Sequence, residues 1–134
     1  MDEALLDAFR ATHYLVCLDQ TEWADIRVDR TLPASLQALV GQRAWGFITA
    51  WNPFGEVRPE SENLVAQCQL HSALKQLPHA IIFPAIGVGS DRHEPSLFVI
   101  GADSHALEIL AMRHQQLAYV HGESGTPAML RILS

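Results

Sequence analysis

Basic residues are scarce in this chain. Lys75 is the only lysine, and nine basic residues face fifteen acidic ones, for a formal net charge of -6 over 134 residues. Binding nucleic acid requires a basic face to neutralise phosphates. Here the arginines are spread along the chain, so no nucleic-acid partner is expected. No polybasic cluster is present to seek an anionic membrane surface. Long apolar runs are missing too. The longest, Ala80 to Val88, is interrupted by Pro84 and Gly87 and falls far short of a bilayer span. The opening Met1-Asp2-Glu3-Ala4 is acidic where a secretory leader would be basic. Cysteine is reduced to Cys17 and Cys68, with no CxxC pair, which predicts two small buried hydrophobes in a reducing compartment. These absences together point to a cytoplasmic protein with no membrane association.

Motifs for bound groups are lacking as well. The seven histidines form no HxH or HExxH pair, so no zinc site is read from them. Gly87-Val88-Gly89 lacks the third glycine of a dinucleotide fingerprint and is placed to open a hairpin, whereas that fingerprint opens a helix. Neither a metal nor a cofactor is expected.

What the chain does have is apolar material, 49% of its residues. A chain of this length buries roughly 68% of its unfolded surface. One domain over residues 1–134 is therefore expected. Residues 2–11 read as a short helix with Leu5, Leu6 and Phe9 on one face. Residues 13–18 and 25–28 read as strands, and Pro33 and Gly41 frame a second helix. Trp45 to Trp51 is a strand closed by Asn52-Pro53, with Trp45, Phe47 and Trp51 on one face, expected beneath the helices. A helix from Ser61 to about Leu77 presents Leu64, Cys68, Leu74 and Leu77, with Leu70 and Ala73 beside them. Residues 80–86 form a strand in which Pro84 argues for an edge or a bulge. After a loop at 87–95 come a strand at 97–101, a helix capped by Asp103 or Ser104, and strands at 117–121 and 129–133.

From residue 45 to 121 the order is strand, helix, strand, strand, helix, strand. That order predicts an α+β fold: a mainly antiparallel sheet with both helices on one face, a ferredoxin-like split βαβ core, and extra N- and C-terminal strands. The short link between the two middle strands favours a hairpin over a parallel crossover. Strand directions then place the loops 52–61, 87–95 and 114–116 at one edge. Function commonly sits in loops held by a rigid scaffold.

That edge gathers Thr49, Asn52, Glu62, Asn63, Glu94, Ser96 and Gln116. Two nearby carboxylates, Glu62 and Glu94, would push one pKa upward and suit acid–base work. Thr49, Asn52, Asn63, Ser96 and Gln116 would orient a polar ligand. The same atoms could instead tie three loops together with no ligand at all, since Asn-Pro is turn chemistry and a glutamate in a first helical turn complements the helix dipole. Both readings stand at this level.

The string Thr49-Ala50-Trp51-Asn52-Pro53, then Glu62-Asn63, Glu94-Pro95-Ser96 and Gln116-Leu117-Ala118, resembles the bacterial family catalogued as domain of unknown function 3293. The resemblance covers nearly the whole chain. Its pattern places an aromatic residue before the Glu-Pro-Ser glutamate and a glycine before the glutamine, where this chain has His93 and Gln115. The family implies no reaction and marks only which residues to follow. Two functions are carried forward. One is binding of a small polar molecule at the loop edge, with acid–base or hydrolytic chemistry open. The other is a non-catalytic interaction or assembly module using the sheet or an exposed edge strand around Trp23. Self-association is left open.

Overall fold

The computed structural model describes residues 1–133. In chain order the elements are α1 (Glu3–Ala11), β1 (His13–Cys17), β2 (Trp23–Ile26), α2 (Ala34–Val40), β3 (Trp45–Ile48), a 3₁₀ turn (Pro53–Gly55), α3 (Glu60–Lys75), β4 (Ile81–Val88), β5 (His93–Ile100), α4 (Ser104–Arg113), β6 (Ala118–Gly122) and β7 (Met129–Ile132). The strands form one sheet in the order β2-β1-β4-β5-β3-β6-β7. Every neighbouring pair is antiparallel.

Local chemistry explains the frame. Asp2 accepts the Leu5 N–H at 2.8 Å to start α1, and Asp103 accepts the Ala106 N–H at 2.9 Å to start α4. Arg10 and Arg113 stand in the last turns, where a cation suits the helix dipole. β4 and β5 make the long central hairpin, and both strands run further into its turn than the sequence suggested. β4 continues to Val88 and β5 starts at His93, so Glu94 and Ser96 lie on a strand. Pro84 is in an internal strand, yet the pairing of β4 with β1 stops at Ala85. The missing N–H therefore falls where β4 has outrun its neighbour.

Both faces of the sheet are buried, and alternation along each strand sorts the residues between them. One face collects Ile48, Leu97, Val99 and Tyr119 under Leu70 and Leu74 of α3 and Leu107, Leu110 and Ala111 of α4. The other collects Trp45, Phe47, Phe98, Ile100 and Val120 with Tyr14 and Val16, under Leu36 and Val40 of α2. The expected placement of both core helices on one face is met by α3 and α4, while α2 covers the other face. Trp45 and Phe47 lie on the face away from those two helices, because Gly46 occupies the face where Leu107 packs. Trp51 is beyond β3 and half-buried.

The exposed and buried sides of α3 also differ from the periodicity argument. Leu70 and Leu74 are buried as expected, but Leu64 is 49% exposed and Cys68 is exposed, whereas Asn63 is buried. Hydrogen bonds, described below, draw Asn63 inward and rotate the helix. Cys17 is half-buried. Among the described residues no helix is long and apolar enough to cross a membrane.

Candidate functional site

The three loops meet at one edge, and their side chains hold one another. Thr49 follows β3 directly: its hydroxyl donates to the Pro95 carbonyl at 2.7 Å and accepts the Trp51 N–H at 3.0 Å. Asn52 has left-handed backbone (φ 48°), a conformation asparagine tolerates. Its N–H donates to Asn63 Oδ1 at 2.9 Å, and Asn63 Nδ2 returns a bond to Asn52 Oδ1 at 2.8 Å. The Arg58 N–H also donates to Asn52 Oδ1, at 3.0 Å. Asn63 is only 2% exposed, so this reciprocal pair is what permits an amide to be buried there. Gln116 Nε2 donates to the carbonyls of Trp51 at 3.2 Å and His114 at 3.3 Å. Ser96 Oγ donates to the Glu94 carbonyl, two residues back, at 3.0 Å.

Thr49, Asn63 and Ser96 therefore spend their side-chain hydrogen bonds on the protein itself. Gln67, which the sequence argument passed over, belongs to the same network: its Oε1 accepts the Ala50 N–H at 2.9 Å. Nothing in a lone glutamine on a helix signalled this.

Backbone strain gathers at the same edge. Among the described residues, three of the five non-glycine positions with positive φ are Asn52, Phe54 (58°) and Gln115 (56°). The Phe54 N–H donates to the Gln115 carbonyl at 2.8 Å, so two of the strained residues are joined directly. Such conformations each cost on the order of 1–3 kcal/mol and persist only where the surroundings impose them.

Beside this network lies a cavity of about 810 Å³. Its floor follows one cross-strand row of the sheet: Tyr14 on β1 is opposite Gly87 on β4, which is opposite Glu94 on β5. Gly87 is what leaves the space. A Cβ there would meet nothing closer than 3.8 Å. Phe47 and Trp51 add aromatic surface, Thr49, Asn52, Ser96 and Gln116 border the polar end, and α1 supplies Leu5 and Phe9. The Tyr14 hydroxyl donates to the Phe9 carbonyl at 2.7 Å and ties α1 down. The part played by α1 was not legible in sequence. It follows from β1 pairing with the end of β4, which brings the α1–β1 junction to the loop edge.

Glu94 is the carboxylate at the polar end. Its one side-chain hydrogen bond among the described residues is a long one, 3.4 Å from Asn52 Nδ2. Burial pushes its pKa above the ordinary glutamate value, while the nearby Arg92 charge and the Asn52 bond pull the other way. Tyr14 is 7% exposed, and its phenol pKa is driven well up, first by burial and further by the Glu94 charge. Glu62 is in a different place. It lies in the exposed first turn of α3 and is not part of the cavity lining. Of the two carboxylates expected to face each other, only Glu94 borders the cavity. Of the two histidines at this edge, His93 is exposed, and burial lowers the pKa of half-buried His114. No three His, Cys, Asp or Glu side chains converge on a point among the described residues.

Residues 48–119 match the family described as protein of unknown function DUF3293. The chain belongs to the DUF3293 family. The matched segment holds every member of the loop network and most of the cavity's polar end, but not α1 or Tyr14, which close the other side of the DUF3293 cavity. No curated protein and no solved structure matches the chain. At the position before Gln116, Gln115 adopts the left-handed backbone that glycine reaches without strain.

Proposed function

We propose that this DUF3293 chain binds a small molecule in the cavity between α1 and the sheet, with Glu94 receiving the ligand's polar group and Phe47, Trp51 and Phe9 receiving its apolar part. One observation carries the reading: a space of about 810 Å³ bordered by a carboxylate with acceptor capacity left over. Small-molecule sites are commonly ~300–1,000 Å³, mostly apolar, with a few placed polar groups. In this reading Asn52 and Gln116 position the site, and Asn63, Thr49 and Ser96 hold its frame. Glu94, with its raised pKa, is the group fit for proton transfer if a reaction occurs, and Glu62 has no place in it.

The test is a thermal-shift screen of polar metabolites against the native protein and Gly87→Phe. A true ligand raises the melting temperature by mass action. The substitution fills the floor of the cavity without a clash at Cβ. Hits that survive it unchanged would count against the cavity.

A second reading, an interaction module, rests on Trp23. It is 51% exposed on β2, the outermost strand at its end of the sheet. An aromatic on an open strand edge suits strand addition or self-association. Sedimentation of native protein and Trp23→Ser distinguishes that use.

Two broader inferences accompany these. The spatial order β4-β5-β3-β6, with α3 and α4 as crossovers, supports reading residues 45–121 as a ferredoxin-like split βαβ within a single domain. The acidic balance and free cysteines support a reducing, cytoplasmic setting without nucleic-acid partners.

A further inference from the structure

The cavity's charge and its walls narrow the class of ligand, on the reading that the cavity is a binding site. Its lining has three carboxylates, Asp2, Asp91 and Glu94, and a single guanidinium, Arg92. Their depths differ. Asp91 and Arg92 are exposed in the β4–β5 turn and Asp2 is exposed at the α1 cap, whereas Glu94 is half-buried. The inward-placed charge is therefore negative, and Asn52 Nδ2 at 3.4 Å is a weak partner for it. A half-buried carboxylate with so little compensation gains most from a ligand that brings its own positive charge. The remaining walls include aromatic rings of Phe9, Tyr14, Phe47 and Trp51, and aromatic faces attract organic cations.

We infer that the ligand is an organic cation, an amine or guanidinium carried on an apolar body, whose charged group is seated on Glu94. An anionic ligand would have to leave its charge beside Glu94 and rely on Arg92 in the exposed turn. A neutral ligand could donate a hydrogen bond to Glu94 but would bring no charge to offset the carboxylate.

Three probes of similar shape and different charge test this by calorimetric titration: 2-phenylethylamine, 2-phenylethanol and 3-phenylpropanoate. The expected result is at least tenfold tighter binding of the amine than of the alcohol, with the carboxylate weakest. Glu94→Gln should erase the amine's advantage and leave the alcohol's affinity unchanged. Arg92→Gln, at an exposed turn position, should strengthen amine binding several-fold whatever Glu94→Gln does to folding. Tighter binding of the carboxylate than of the amine, an amine preference that survives in Glu94→Gln, or no binding of the amine would overturn the inference. If the alcohol binds as well as the amine and Gly87→Phe abolishes both, the ligand class is wrong and the cavity reading stands. If amine binding persists in Gly87→Phe, the cation sits elsewhere and both fall.

Discussion

Glu94 and Tyr14 stand in one cross-strand row of the sheet with only Gly87 between them. Neighbouring strands lie about 4.8 Å apart, so the two backbones are separated by roughly 10 Å, and a glycine leaves that gap unfilled. The negative charge of Glu94 is felt by the phenol, which it helps to push up in pKa. A carboxylate and a buried tyrosine thus share an open space that neither local sequence describes.

Glu94→Gln should not destabilise the protein at neutral pH. Burial raises the carboxyl pKa in the fold, so the folded state binds that proton more tightly than the unfolded state does. Stability contributed by this group is present at low pH and is lost as pH rises from about the ordinary value of 4.5 through the raised one. The variant should melt at or above the native temperature at pH 7 and lack this part of the slope. Urea denaturation of both proteins between pH 4 and 8 checks it. A loss of about 1–3 kcal/mol at pH 7 would show that the carboxylate is a loop tie after all.

Asn63→Ala should be costly. It leaves the Asn52 N–H and Oδ1 without the bonds Asn63 supplies, at a position 2% exposed. An unsatisfied buried group costs about 1–3 kcal/mol, so a drop in stability of at least that size is expected in denaturant titrations. Leu64→Ala, one residue on but 49% exposed, should change stability far less.

Gln115→Gly should stabilise. The position has φ 56°, where a side chain is strained and glycine is not. Relief of that strain is offset in part by the freedom glycine gains when unfolded, leaving a net gain of about 0.5–1 kcal/mol. A lower melting temperature would mean that the Gln115 side chain contributes contacts that outweigh its backbone.

His121 should make the fold sensitive to mild acid. Burial first, and then the Arg131 charge, depress its pKa below 6.5. The unfolded chain takes up the proton before the folded one does, so stability from this group is present above pH 6.5 and is lost as pH falls through the window below it. His121→Gln should narrow the difference in stability between pH 7.5 and pH 5.5. An unchanged difference would place the acid sensitivity elsewhere.

Much of this architecture was legible in the amino-acid order. The apolar run from Trp45 to Ile48, a helix cap at Asp103 or Ser104 and a hairpin joining β4 to β5 are local features, decided by backbone sterics and nearby hydrogen bonds. Strand directions alone brought Asn52, Glu94 and Gln116 to one edge, because antiparallel neighbours must alternate. What required tertiary structure was the use of each side chain. Asn63 turned inward against the apolar pattern of α3 because two amides satisfied each other across eleven positions of chain. Glu62, one residue before it, stayed in solvent. The cavity exists because β1 pairs with β4 and sets Tyr14, Gly87 and Glu94 in one row. Periodicity assigns a residue to a face, but long-range pairing decides what that face meets.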